Sequence, residues 1–247
     1  MGFWVALQFL TILPSPVRRP FTRDELGQSL AYFPVVGLLL WLALWGLDSG
    51  LSRVLPAMPT NVLLLAALVL MTGAMHVDGF IDTCDGAAVR RTAEQRLEIM
   101  ADSRVGAFGV VGGCLLILAK FAALVSLPAS VRTAALLLTP VMGRWSMVFA
   151  VFAYPYARGK TGKGFAFKEG ASRARVLVAL MFTIVIAFVV SRSWHGPALI
   201  AALFVAVISF GAYIRSRLGG LTGDSYGAVN EVAEVLTLLV LPLIWRA

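Results

Sequence analysis

Seven long apolar runs decide most of what this chain can fold into. A helix that crosses a bilayer needs about 20 consecutive, mostly apolar residues. The sequence supplies such stretches near 28–47, 61–79, 106–127, 131–153, 176–190, 197–214 and 226–245. Packed into 247 residues, they leave too little polar chain to cover a water-facing surface: 59% of residues are apolar and 14% charged, against about 25% charged in a soluble domain. The reading is an all-α, polytopic transmembrane helix bundle of about seven spans, one membrane domain over 1–247. A soluble enzyme, a disordered chain and a collagen-like rod are excluded. Met1–Leu13 is apolar but too short to span, and Pro14 and Pro16 follow it. With no basic start and no small-residue cleavage site, it reads as an N-terminal amphipathic or re-entrant helix, not a signal peptide. Cys84 and Cys114 are too few for a disulfide framework.

The basic residues orient the spans. Regions 15–27, 80–105, 154–175 and 215–225 carry 15 of the 21 Lys and Arg, whereas the alternate connections carry only Arg53, Arg132, Arg192 and Arg246. Lys and Arg concentrate in cytoplasmic loops, so the alternation places the N-terminus and the basic loops in the cytoplasm. The formal charge of +8 then points to anionic membrane lipid as a partner and not to nucleic acid.

Thirteen carboxylates remain, and three groups stand out. In GAMHVDGFIDTCDGAAVRRTAEQRLEIMADSRVGAFG, Asp78, Asp82 and Asp85 stand at i, i+4 and i+7. On a helix they fall at roughly 0°, 40° and −20°, one face. Like charges stacked at a membrane boundary repel and are costly to keep. A divalent ion on oxygen ligands would compensate them; the plainer reading is a solvated acidic helix end neutralised by Arg90, Arg91 and Arg96. Downstream, Glu94, Glu98 and Asp102 are again four apart, followed by Ser103 and Arg104. Near the end, RSRLGGLTGDSYGAVNEVAEV brings Gly219, Gly220, Gly223 and Gly227 beside Asp224, with Asn230, Glu231 and Glu234 inside the last span. Glycines let a phosphate or sugar approach the backbone, and intramembrane carboxylates are functional by default; helix packing through small residues is the competing account. The loop YPYARGKTGKGFAFKEGASRAR suits a phosphate-bearing ligand, or serves only as a topology-setting positive loop. Asp24 and Glu25 after Thr22 read as helix N-terminal residues.

At these residues the chain resembles cobalamin synthase, the adenosylcobinamide-GDP ribazoletransferase family. HVDGFIDTCDGAAVRR…RLEIMADSRVGAFG looks like the family signature, and FTRDELGQSLAYFPVVG and LGGLTGDSYGAVNEVAEV continue the likeness over almost the whole chain. The resemblance implies a multi-pass inner-membrane enzyme with its active site facing the cytoplasm. It would join adenosylcobinamide-GDP to α-ribazole, or to α-ribazole 5′-phosphate, with Mg²⁺ and release of GMP. Under it, Asp78, Asp82, Asp85, Asp224 and Glu231 are expected to hold metal. Asp85 or Asp102 would accept the proton of the attacking hydroxyl, and Arg104 would stabilise phosphate oxygens. His76, Arg90, Arg91, Ser103, Arg158, Gly223, Tyr226 and Asn230 are expected to bind substrate. The corrinoid is large, so an open lateral cavity is expected, with self-association or handover from other corrinoid-pathway enzymes left open. One rival is a CDP-alcohol phosphatidyltransferase, whose signature begins DxxDGxxAR. Residues 82–90 read DTCDGAAVR, but the second half of that signature does not follow at the expected distance. The other rival, a divalent-cation transporter, would carry its carboxylates near the bilayer midplane, whereas here most cluster at one face.

Overall fold

A computed structural model describes residues 1–160 and 162–245. Among the described residues twelve α-helices follow one another: α1 (Gly2–Leu10), α2 (Arg23–Ser29), α3 (Phe33–Leu51), α4 (Ala57–Met71), α5 (Met75–Ala88), α6 (Ala93–Ile99), α7 (Ala107–Val125), α8 (Ala129–Ala153), α9 (Gly162–Gly170), α10 (Arg173–Ser191), α11 (His195–Leu218) and α12 (Gly223–Trp245). Among the described residues the only pairing of extended backbone is an isolated parallel bridge between Tyr156 and Leu221. Six helical stretches are long and apolar enough to cross a membrane, seven if a bent pair counts as one. The chain is thus a multi-pass helical bundle, as the hydropathy indicates. Arg246, one of the basic residues used to orient it, lies outside the described residues.

The bent pair is what the sequence reading did not foresee. The run 61–79 is not one straight helix. Helix α4 stops at Met71, Gly73 and Ala74 turn the backbone into the left-handed region at φ 59° and 57°, and α5 leaves at 87° to α4. Hydropathy stays high through Ala74 and Val77, so an apolar average cannot register the turn. Helix α5 therefore lies across one end of the bundle instead of continuing through it.

Helix α8 is the buried axis, with nearly every side chain from Ala134 to Val151 enclosed. It packs most extensively against α12 and α3. Helix α12 packs in turn against α5, and Gly79 permits that contact: a Cβ there would sit 2.6 Å from the carbonyl oxygen of Asp224. Small residues at such crossings let backbones approach closely where apolar burial alone cannot distinguish helix from lipid.

At the site end, α1 buries Val5, Ala6, Leu7 and Leu10, consistent with a half-buried amphipathic helix. Helix α2 begins with a reciprocal cap, Thr22 Oγ1 accepting from Glu25 N–H and the Glu25 carboxylate from Thr22 N–H, which gives Glu25 the capping role read from the sequence. At the opposite end, Arg132 at the start of α8 donates to Asp48 on α3 at 2.7 Å and to Asn61 on α4 at 2.8 Å. This latch accounts for Asp48.

Candidate active site

Helix α5 crosses the first turn of α12, and this crossing brings the site together. Asp224, at the start of α12, accepts from Thr222 Oγ1 at 3.3 Å and pairs with Arg158 at 3.1 Å. Arg158 comes from the connection between α8 and α9, which is held in place by the backbone bonds Ala157 N–H to Leu221 O and Leu221 N–H to Pro155 O, both 2.9 Å. Asp78 is exposed on α5 and Asp82 half-buried one turn on. Asp82 lies within electrostatic reach of Asp78, Asp224 and Arg158. Asp78, Asp224, Arg158 and Lys163 face a cavity of about 370 Å³, with Asp82 beside them on α5.

His76, Asp78, Tyr156, Arg158, Asp224 and Tyr226 all line that cavity. His76 is 1% exposed and neither ring nitrogen has a hydrogen-bond partner among the described residues; the Tyr226 hydroxyl is likewise buried without one. Buried polar groups left unmet cost about 1–3 kcal/mol each, so atoms of this kind in a cavity wall mark where a ligand's polar atoms belong. Burial raises the Tyr156 phenol above its usual range against the opposing charge of Arg158, which keeps it a neutral donor at physiological pH.

The remaining expected residues divide. Asp85 shares α5 with Asp78 and Asp82, but both of its oxygens are engaged: Oδ2 accepts from Gly106 N–H at 2.8 Å and Oδ1 from Gly109 N–H at 2.7 Å. It satisfies the first turn of α7, whose N-terminal amides lack intrahelical partners, a capping role that stands beside the metal and base roles expected for it. Glu231 does not reach the aspartates. It accepts from Lys120 of α7 at 2.6 Å, deep in the bundle, and Lys120 also reaches Glu234 at 2.5 Å. Arg144 of α8 pairs with Glu234, and Asn230 donates to Glu231 at 3.1 Å and Glu234 at 3.0 Å. Two cations and two carboxylates balance, so Glu231 belongs to an internal ion network and Asn230, expected to bind substrate, serves that network instead.

Asp102 falls beyond the end of α6, so it does not share a helical face with Glu98. It is exposed and forks with Arg104, whose side chain holds the Asp102 carboxyl down to about 2. Ser103 is exposed beside them. Arg90 and Arg91 open onto a separate shallow cleft shared with Arg217. Gly223 lies at the cavity, as expected. Among the described residues, no group of three or more His, Cys, Asp or Glu side chains converges closely enough to hold a metal ion. The donor set around Asp78, Asp82 and Asp224 instead suits an ion that keeps several waters and takes one or two carboxylates together with substrate phosphates, the usual habit of magnesium.

Sequence reasoning missed Lys120 and Arg144 as partners of the intramembrane glutamates, and the aromatic lining of the cavity. The former had a readable signal: each is a lone cation inside an apolar span, where charges are expected to pair.

A family model described as cobalamin-5-phosphate synthase matches residues 2–242. Among curated relatives, the adenosylcobinamide-GDP ribazoletransferase of Geotalea daltonii is 40% identical over 240 residues, covering 97% of this chain and 96% of the relative. Those of Desulfitobacterium hafniense and Syntrophobacter fumaroxidans, with the same name, are 39% and 41% identical, covering 98% and 96% of this chain and 97% and 96% of their own lengths. No solved structure matches.

Proposed function

The chain belongs to the cobalamin-5-phosphate synthase family, and we propose that its activity is the one its relatives' names carry: transfer of the cobinamide-phosphate group of adenosylcobinamide-GDP to α-ribazole, or to α-ribazole 5′-phosphate, with release of GMP. The observation that carries this reading into chemistry is the crossing of α5 over α12, where Asp78, Asp224 and Arg158 face one cavity and Asp82 lies within electrostatic reach of them.

In the reaction, a ribose hydroxyl oxygen of α-ribazole forms a bond to the phosphorus that stays on the cobinamide. The bond from that phosphorus to the pyrophosphate bridge oxygen breaks, and its electron pair leaves on GMP. Arg158 is placed to take a phosphate oxygen with a charge-assisted hydrogen bond. The hydroxyl proton passes to a carboxylate of the Asp78, Asp82 and Asp224 group. Asp78, Asp82 and Asp224 would also hold Mg²⁺, which when bound supplies neutralising charge to the pyrophosphate and the leaving nucleotide. The membrane would be the inner membrane with the cavity toward the cytoplasm, a reading supported by the alternation of basic loops.

The test is a reconstitution. Purified protein in lipid vesicles, given adenosylcobinamide-GDP and α-ribazole, should release GMP and the joined corrinoid in equal amounts. Chelating magnesium should abolish both. Absence of GMP release at any magnesium concentration would overturn the assignment. A reporter fused after Arg175 should report the cytoplasm.

A further inference from the structure

The lining of the active-site cavity falls into two groups of unlike chemistry, and the contrast says which substrate it receives. Phe9, Phe33 and Phe167 pack ring on ring, with centroids 4.6 Å (Phe9 to Phe167), 5.7 Å (Phe33 to Phe167) and 6.3 Å (Phe9 to Phe33) apart. Tyr156 and Tyr226, 6.5 Å apart, add two more rings. Set against these is the charged group of Asp78, Asp224 and Arg158. The volume of about 370 Å³ lies at the small end of ligand pockets, far too small for a corrin macrocycle and suited to one nucleoside.

Resting on the proposed transferase reading, we infer that this cavity is the subsite of the acceptor nucleoside, its flat apolar base among Phe9, Phe33 and Phe167 and its ribose toward Asp78 and Asp224. The corrinoid remains outside, at the exposed rim. A benzimidazole base has no exocyclic donors or acceptors and a single free ring nitrogen. The Tyr226 hydroxyl, buried and without a partner, offers that nitrogen a donor. Guanine carries keto, amino and ring N–H groups for which the three phenylalanine rings offer no partner. The ring cluster also supplies stacking partners at the offset and edge-on geometries aromatic groups prefer.

Gly223 allows a direct test. It lines the cavity, and a Cβ built there meets nothing within 4 Å, so Gly223→Phe adds bulk at the cavity wall from a position with room for its first carbon. In vesicles, this variant should raise KM for α-ribazole by about tenfold or more, and by clearly more than it raises KM for adenosylcobinamide-GDP. Tyr226→Phe, which removes one oxygen and keeps the ring, should weaken α-ribazole about tenfold in a direct fluorescence titration without corrinoid. It decides the matter if Gly223→Phe does not fold. Unchanged α-ribazole affinity in a folded variant, or a rise in the corrinoid KM instead, would overturn the subsite while leaving the transferase reading intact. Competitive displacement of α-ribazole by guanosine would also overturn it. Failure of the wild type to turn over the two substrates would instead remove the transferase reading itself.

Discussion

Two sets of carboxylates on neighbouring helices have opposite surroundings. Glu231 and Glu234 lie deep in the bundle, each matched by a cation within hydrogen-bond reach, with Asn230 filling in. Asp78, Asp82 and Asp224 sit at the bundle end, where Asp224 pairs with Arg158 and water reaches all three. The first set is charge-balanced, so it asks nothing of a ligand and holds α7, α8 and α12 in register. The second set lies at an open cavity shared with Arg158 and Lys163, where a cation and a phosphate can reach it. Position in the sequence does not separate them, since Asp224 and Glu231 are two turns apart on one helix; the partner supplied by a distant helix does.

The sharpest way to break this contrast is to unbalance the inner set. Lys120→Met leaves two buried carboxylates facing Arg144 alone, and removing one partner of a buried pair costs about 3–5 kcal/mol. Thermal unfolding in detergent should show it as the largest destabilisation of any variant considered. Adding Glu231→Gln should recover part of that loss, and no recovery would mean the four charges do not act as one network.

The outer set should respond in the reverse sense. Asp82→Asn should cut turnover about a hundredfold, the scale of losing a charge-stabilising group, and leave the unfolding temperature unchanged or slightly higher as repulsion falls. Near-normal turnover at saturating magnesium would take Asp82 out of the site.

Asp85 falls between the two sets, and its variant sharpens the boundary. Asp85→Asn turns one N–H acceptor into a donor facing an amide, so a loss of about 1–2 kcal/mol in stability is expected, typical of a lost helix cap. Any loss of turnover should then track the loss of folded protein. A large catalytic defect at full stability would return Asp85 to the site.

The smallest effect belongs to the surface pair of Asp102 and Arg104. With the Asp102 carboxyl held near 2, its contribution is present above the ordinary carboxylate range near 3.9 and fades only as pH falls through 2. Asp102→Asn should therefore lower stability by the same small amount at every pH between 5 and 8, and any pH step that the substitution creates in that window would contradict the assignment.

Legibility in the sequence followed the range of the interaction concerned. Spans α7, α8, α10, α11 and α12 were readable because each is a local run of apolar side chains. The cap at Thr22 lies within three residues and was read from local chemistry, whereas the equally local fork of Asp102 with Arg104 was not read, each residue being given to the substrate instead. The acidic face on α5 was legible from spacing, but the fate of Asp85 depended on amides 21 and 24 residues away. The Glu231 partner lies 111 residues back in the chain. Phe9, Phe33 and Phe167 come from three separate helices and, singly, look like any membrane-facing or core aromatic. The turn at Gly73 and Ala74 was hidden for another reason: alanine in a left-handed conformation carries no signature in composition.

That turn also sets a condition on the surrounding lipid. With α5 folded away, the leg formed by α4 has 15 residues and reaches only about 22 Å, against a hydrocarbon thickness near 30 Å. A helix of that length meets both surfaces only where the bilayer thins or headgroups and water dip inward. A depressed membrane surface next to α5 lowers the distance between the headgroup plane and the aspartates, so a bulky water-soluble corrinoid can dock from the aqueous side without entering the acyl layer. Chain length of the host lipid thereby becomes a control on how well the site is presented.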